Sequence, residues 1–541
     1  MPIAAGLAIL LCVLGASSAL AQGRHSIGLS AKGAQLWLEE GSYPHSPGSS
    51  DGLGASLAVG DFNGDGFDDL AAGIPANPCD PVNLRCGSAQ VRLGSPATPL
   101  ANRVVLSPVA NPLDLAQAEE RYGHALAAGD WNGDGFDDLA VGVPFNFVPT
   151  TGSLVQAGAV QLHLGRPAGS GTLQPIAEHS FSKAPGSGLP GFPSAFELFG
   201  FAVAFGDFNG DQKDDLAVGI PYSRGGCGPA PCRSGSVMVI DLNDAGEVGG
   251  YSMFLGAPGL PGAQADQDQV GWAVATGDFN GDGYDDLATG IPHRDGWGAV
   301  LVVYGSPFSL LFAEHQFFFQ GSFGETAEAG DEFGKTLAAG DFNHDGYDDL
   351  AMGAPGEDGA GPDRIDSGEV IVSYGSTAGL LTEQAPWLTE DGIFGSGSEA
   401  GDRFGSALTA GDFDADGYDD LVVGMAGEDT ASAGESSGAA VLIRGAFLGL
   451  VGSPARHLLP HLYPWGLIAE RPGESDEHAG FGAALATGDF DGNGFDDLAL
   501  GAPGRDLLPA TAVGAVAVVY GQLFVDGFES ADALEWSAVA P

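Results

Sequence analysis

The sequence predicts an all-β fold, a seven-bladed β-propeller, and three observations carry that prediction. Gly (89) and Pro (34) make up nearly a quarter of the 541 residues and are spread along the whole chain, which suits short strands joined by turns. An acidic ten-residue segment recurs seven times, from DFNGDGFDDL at 61 through DWNGDGFDDL at 130, DFNGDQKDDL at 207, DFNGDGYDDL at 278, DFNHDGYDDL at 341 and DFDADGYDDL at 412 to DFDGNGFDDL at 489. The copies start 63 to 77 residues apart, a spacing that marks a repeat architecture. Around each copy lie four short apolar runs, the content of one propeller blade.

Within a unit, the first run opens on an aromatic-Gly step in most copies: Tyr122-Gly123, Phe199-Gly200, Phe333-Gly334, Phe404-Gly405 and Phe481-Gly482, with Leu53-Gly54 and Val270-Gly271 in the others. The acidic loop follows, then a second run such as DLAVGIP at 215–221. A Gly starts the third run, as in GAVLVVYG at 298–305, and a less regular fourth run leads into the next unit. The seventh unit has no fourth run of its own, since QLFVDGFES at 522–530 does not resemble the others. Residues 28–41, GLSAKGAQLWLEEG, instead align without gaps on GLLTEQAPWLTEDG at 379–392. The N-terminal segment is therefore expected to complete blade seven and remove the sheet edge that an open stack would leave bare.

The acidic loops present oxygen atoms at positions 1, 3, 5 and 9 and a backbone carbonyl at position 7, with Gly at position 6 for the turn. Hard oxygen ligands in a flexible loop suit Ca²⁺. The ligands expected in blade 1 are Asp61, Asn63, Asp65, the Phe67 carbonyl and Asp69, and in blade 2 Asp130, Asn132, Asp134, Phe136 and Asp138. Blade 3 offers Asp207, Asn209, Asp211 and Asp215, but has Gln212 at the Gly position and Lys213 at position 7. Blade 4 offers Asp278, Asn280, Asp282, Tyr284 and Asp286, and blade 5 Asp341, Asn343, Asp345, Tyr347 and Asp349. Blade 6 has Asp412, Asp414, Asp416, Tyr418 and Asp420; blade 7 has Asp489, Asp491, Asn493, Phe495 and Asp497, where Asn493 in place of Asp predicts weaker binding. Position 8 (Asp68 and its counterparts) is expected to face solvent or cap the turn. Like charges about 4 Å apart repel by about 1 kcal/mol even in water, so up to seven cations are needed to gather these acids.

Charge narrows the partners. With 71 acidic and 19 basic residues, the formal net charge of −52 argues against nucleic acid and anionic membrane surfaces. Residues 1–21 read as a secretory signal: Ile3–Ala16 is apolar but too short to span a bilayer, and Ala19-Leu20-Ala21 offers a small-x-small cleavage site. No other stretch reads as a membrane span. The expected organisation is signal 1–21, propeller 22–521 and tail 522–541. Cys79 with Cys86, and Cys227 with Cys232, sit in Pro/Gly-rich loops and suggest two local disulfides, the alternatives being a metal site or free thiols. Two Gly-x-Ser-x-Gly matches, at 48–52 and 434–438, lie in loop sequence without the strand and helix that a nucleophile elbow needs.

These motifs bring a family into view. Phe-Gly, the DxNxDGxxDL loop and Gly-x-Pro (Gly73-Ile74-Pro75, Gly219-Ile220-Pro221, Gly501-Ala502-Pro503) together resemble the FG-GAP repeats of the integrin α-subunit N-terminal propeller, over residues 28 to 521. The resemblance implies a secreted or cell-surface, calcium-binding adhesion module for a protein or glycan ligand. Its expected contacts are the loops around 76–87, 145–157, 222–234 and 355–367. The second function class is an extracellular polysaccharide lyase or hydrolase using the propeller face, although a lyase acting on acidic sugars would want basic residues that this chain has in short supply.

Overall fold

The computed structural model describes residues 35–38, 52–77, 86–96, 99–108, 120–150, 153–167, 179–185, 187–225, 232–242, 248–253, 260, 265–359, 364–383, 385–395, 397–429, 437–450, 455–458, 479–505 and 514–521. The expected signal, the tail and Cys79 and Cys227 lie outside these residues, as do most of both Gly-x-Ser-x-Gly matches.

Seven four-stranded antiparallel sheets form the ring. In blade 1 the strands run from the inside outward as Leu57–Gly60, Asp69–Ile74, Ser88–Leu93 and Asn102–Leu106, each paired with the next in sequence. Five further sheets repeat that order. The exception is blade seven, whose inner three strands are Ala484–Gly488, Asp497–Ala502 and Ala515–Val519. Its outer strand is Gln35–Leu38, with Trp37 opposite Val516. The alignment of the N-terminal segment on another blade's fourth run thus locates the strand that closes the ring. Two small ribbons, Phe147–Pro149 with Leu154–Gln156 and Arg224–Gly225 with Cys232–Arg233, stand on the loops between second and third strands. Cys86 and Cys232 are each disulfide-bonded.

The continuous apolar second runs follow from where the cores lie. One core joins Ala58, Ala71 and Val91 of blade 1 to Leu126, Leu139 and Val141 of blade 2; another joins Leu36, Leu498 and Ala517 of blade 7 to Val422 and Leu442 of blade 6. Every core is shared by two adjacent sheets, so a second strand is covered on both faces and reads apolar at consecutive positions, as in Asp69–Ile74, buried throughout. Aromatic residues at loop position 2 (Phe62, Trp131, Phe208, Phe279, Phe342, Phe413 and Phe490) are all at most 1% exposed and fill these seams.

The aromatic-Gly step joins blades at their other end. Tyr122 makes a parallel bridge to Gly87 of the preceding blade, and Phe199, Phe333, Phe404 and Phe481 repeat it. Gly123 follows at φ +81°, where a Cβ would lie 2.5 Å from the Ser88 carbonyl oxygen, so only glycine permits this approach.

Closure makes the N-terminal strand a structural requirement. Trp37 is buried between blades seven and one, with the Arg92 guanidinium 4.6 Å from its ring centroid. Trp37→Ala is expected to cost about 3–5 kcal/mol, read by denaturant unfolding. An unchanged midpoint would mean that the ring does not depend on this strand.

Candidate metal centres and the ring that joins them

Each acidic loop is a compact turn held by its own carboxylates. The two Asp61 carboxylate oxygens accept from the Asp65 amide at 3.1 Å and the Gly66 amide at 2.8 Å, and Asp65 accepts from the Phe67 amide at 3.2 Å. The pattern recurs at Asp130, Asp278, Asp341, Asp412 and Asp489. It also holds in blade 3, where Gln212 takes the glycine's left-handed conformation (φ 67°) and donates to Asp207 at 2.9 Å. The loop whose sequence departs most from the repeat therefore keeps the shared shape.

Position 9 is the buried floor. Asp69 is wholly buried and accepts from the Gly94 amide at 2.8 Å and from Asn63 Nδ2 at 3.2 Å. Burial pushes the carboxyls of Asp69, Asp138, Asp215, Asp286, Asp349, Asp420 and Asp497 up to about 8.

The residues fit a divalent cation on their own evidence. Asn63 Oδ1, Asn343 Oδ1 and Asp414 Oδ1, all at position 3, are buried with no hydrogen-bond partner, as is Asp420 Oδ2 at position 9. In blades 6 and 7, Asp412, Asp414 and Asp416, and Asp489, Asp491 and Asp497, each bring three carboxylate oxygens within 4.8 Å of one another. Asn493 leaves its Nδ2 buried and unpartnered, a donor where a cation needs an acceptor. Sequence reading missed Arg444, which contacts Asp414 and reaches Asp416 at 3.0 Å, placing a positive charge beside the loop of blade 6. His344 is exposed, with its ring against Tyr418 of the next blade.

Position 8 overturns an expectation. Position 8 does not simply face solvent or cap its own turn; it grips the preceding blade. Asp137 Oδ2 accepts from the Asp61 amide at 2.8 Å, while the Asp137 amide donates to the Asp61 carbonyl at 3.2 Å. Asp214, Asp285, Asp348, Asp419 and Asp496 grip their neighbours in the same way. Asp68 completes the circle on Asp489, across 421 residues of sequence. Gly60 makes room, since a Cβ there would lie 2.7 Å from Asp137 Oδ2. Position 7 packs the same way: the Phe136 ring covers Gly64, and in blade 3 the aliphatic stem of Lys213 covers Gly133. That packing explains how lysine substitutes for an aromatic residue. Desolvation raises the pKa of every position-8 carboxyl, to about 6 at Asp214 and Asp496.

Comparison with known proteins agrees with this geometry. The FG-GAP repeat family matches at residues 53–84, 122–163, 199–243, 270–303, 333–372, 404–443 and 481–519. The chain is 32% identical to integrin alpha pat-2 of Caenorhabditis briggsae over 251 residues, 44% of this chain and 18% of that protein. It is 32% identical to integrin alpha-8 of Gallus gallus over 248 residues, 44% of this chain and 20% of that one. The chain thus spans about a fifth of the length of these relatives. The exotype rhamnogalacturonan lyase YesX is a distant structural neighbour, at 12% identity and a TM-score of 0.39, covering 87% of this chain and 72% of that one; a likeness of that order carries no argument about function. Among the described residues no helix is long and apolar enough to cross a membrane.

Two outcomes follow from this geometry. Asp137→Ala strips the Asp61 amide of its partner and is expected to cost about 1–3 kcal/mol, with Asp137→Asn, which keeps an acceptor, costing less; urea unfolding compares them. The second concerns pH. Without a cation, folded position-9 carboxyls hold protons up to about pH 8, whereas unfolded aspartates release them near their ordinary 3.8. The folded state then binds more protons than the unfolded one, so stability of the chelated protein falls as pH rises between about 4 and about 8. A bound cation keeps the carboxylates ionised and removes that fall. Melting temperatures at pH 5 and pH 8, with and without chelator, test the sign.

Proposed function

Because the chain belongs to the FG-GAP repeat family, with integrin α chains among its relatives, we propose that it is a secreted, calcium-stiffened propeller that binds a protein or glycan ligand in adhesion. Calcium suits the loops, which offer oxygen ligands only and tolerate the spread of geometries that this ion accepts. The binding face is the one opposite the loops, where the second and third strands are joined and where the chain varies most between blades.

The observation that carries the choice of face is a set of exposed apolar side chains on a ribbon and on the connection that meets it, at blades two and three. The ribbon Phe147–Gln156 leaves Leu154 44% exposed. The connection to blade three meets it through the Phe196 amide, which donates to the Gln156 carbonyl at 2.6 Å, and exposes Phe192 and Phe196 at 85% and 50%. Exposed large apolar side chains on one stretch of surface are a feature of recognition sites. Rigid scaffolds commonly carry binding on such loops.

A glycan and matrix-protein array, probed with the calcium-loaded chain and followed by a product assay on every hit, tests this reading. Phe192→Ala with Phe196→Ala is expected to weaken binding tenfold or more while leaving the melting temperature unchanged. Turnover of a bound polysaccharide would replace the adhesion reading with a catalytic one. Binding indifferent to this pair would move the contact elsewhere on the face.

A further inference from the structure

On the face opposite the acidic loops, successive blade junctions handle one buried acid in two ways. Two residues before four of the aromatic-Gly or Val-Gly steps stand Glu197, Asp268, Asp331 and Asp402, each at most 2% exposed; Glu120 holds the same place before Tyr122, and Ala479 before Phe481. At the junction of blades two and three, Lys183 meets Glu197 at 3.3 Å, and between blades three and four Arg294 meets Asp268 at 2.8 Å. The chain itself supplies the cation there, as a buried carboxylate requires.

At the next two junctions the positions that supplied those cations hold amide or acid. Lys183 follows the outer strand of its blade by two residues, and the same place is taken by Gln320 and then Glu390. Arg294 lies four residues beyond Gly290, and Glu357 and Glu428 lie equally far beyond Gly353 and Gly424. Between blades four and five this brings together Asp331, Glu357 and Glu369, at 2%, 8% and 6% exposure, around a wholly buried Gln320. Gln320 Nε2 donates to Glu357 Oε2 at 2.6 Å, yet Gln320 Oε1 and Glu369 Oε1 are buried with no hydrogen-bond partner. Between blades five and six, Glu390, Asp402 and Glu428 each bring one carboxylate oxygen within 4.8 Å of the other two. Acidic neighbours act on both groups, Glu325, Glu328 and Asp358 at the first and Glu399 and Asp429 at the second, while Arg364 pairs with Asp391 beside Glu390.

Both junctions keep three carboxylates while the third changes its source. Glu369 opens a third strand where blade six has Ala439, and Glu390 stands where the preceding junction has Gln320. We propose that each of these two junctions holds a divalent cation, separate from the loop ions and on the opposite face, in the role that Lys183 and Arg294 fill at the preceding junctions. The ligand set is all oxygen, which suits Ca²⁺ or Mg²⁺. At the four–five junction, ligands under a tenth exposed suit an ion better than a partner's basic side chain. The sites would lock the 355–367 loop, and through Glu428 its counterpart in blade six, against the neighbouring blade.

Counting bound calcium on the full chain, by equilibrium dialysis, tests the inference. Glu357→Arg with Glu428→Arg installs the residue that blade four already carries at this position, and is expected to lower the count by two with the fold intact. Asp61→Ala, a loop control, should remove one ion in either background, so failure of the loops and failure of these sites are distinguishable. Glu369→Ala and Glu390→Gln, which import residues native to the sister junction, should each raise the dissociation constant of one site at least tenfold and serve if the arginine pair does not fold. Folded arginine variants with an unchanged count, or a titration indifferent to the milder pair, would overturn the proposal.

Discussion

Among the described residues, no blade has a core of its own. Each four-stranded sheet buries its two faces only against its two neighbours, so the hydrophobic clusters lie in the seams between blades. The free energy of burial at a seam is therefore realised only when both blades that line it are in place, and at the last seam only when the ring closes. That constraint explains why the N-terminal strand Gln35–Leu38 is built into the last blade, and why a second strand such as Asp69–Ile74 is buried at every position and apolar after its opening aspartate.

The acidic loops are built into that assembly. One residue, Asp61, folds its own loop with its side chain and is gripped through its backbone amide and carbonyl by Asp137 of the next blade. Whatever fixes the loop thereby fixes a seam. Gathering acids at a seam is electrostatically unfavourable, and burial pushes their carboxyls upward. A bound cation turns the same carboxylates from a liability into a bracket. Repeated around the ring, the arrangement makes one face uniform and densely acidic.

The opposite face also joins neighbouring blades, through the aromatic-Gly bridges, but its connections differ from blade to blade. There the chain grows ribbons, exposes Phe192 and Phe196, and pairs the buried acids Glu197 and Asp268 with Lys183 and Arg294. Division of labour between a repetitive face and a variable one lets a repeat scaffold carry a specific site without disturbing its own closure.

What the sequence alone determined is everything encoded within one unit or by likeness between units. The blade number follows from seven copies of one segment, and the closing strand from the alignment of residues 28–41 on 379–392. The ligand spacing was legible because positions 1 to 9 belong to a single turn whose shape local residues dictate, even with Gln212 in the glycine place. Tertiary structure alone decided the role of position 8, the packing of Lys213 on Gly133, the approach of Arg444 to Asp416, and the meeting of Glu357 with Gln320. Each of these joins residues that the chain separates by most of a strand, a blade or, for Asp68 and Asp489, the whole ring. A one-dimensional pattern shows that an aspartate recurs; only the radial placement of the sheets shows whose backbone it holds.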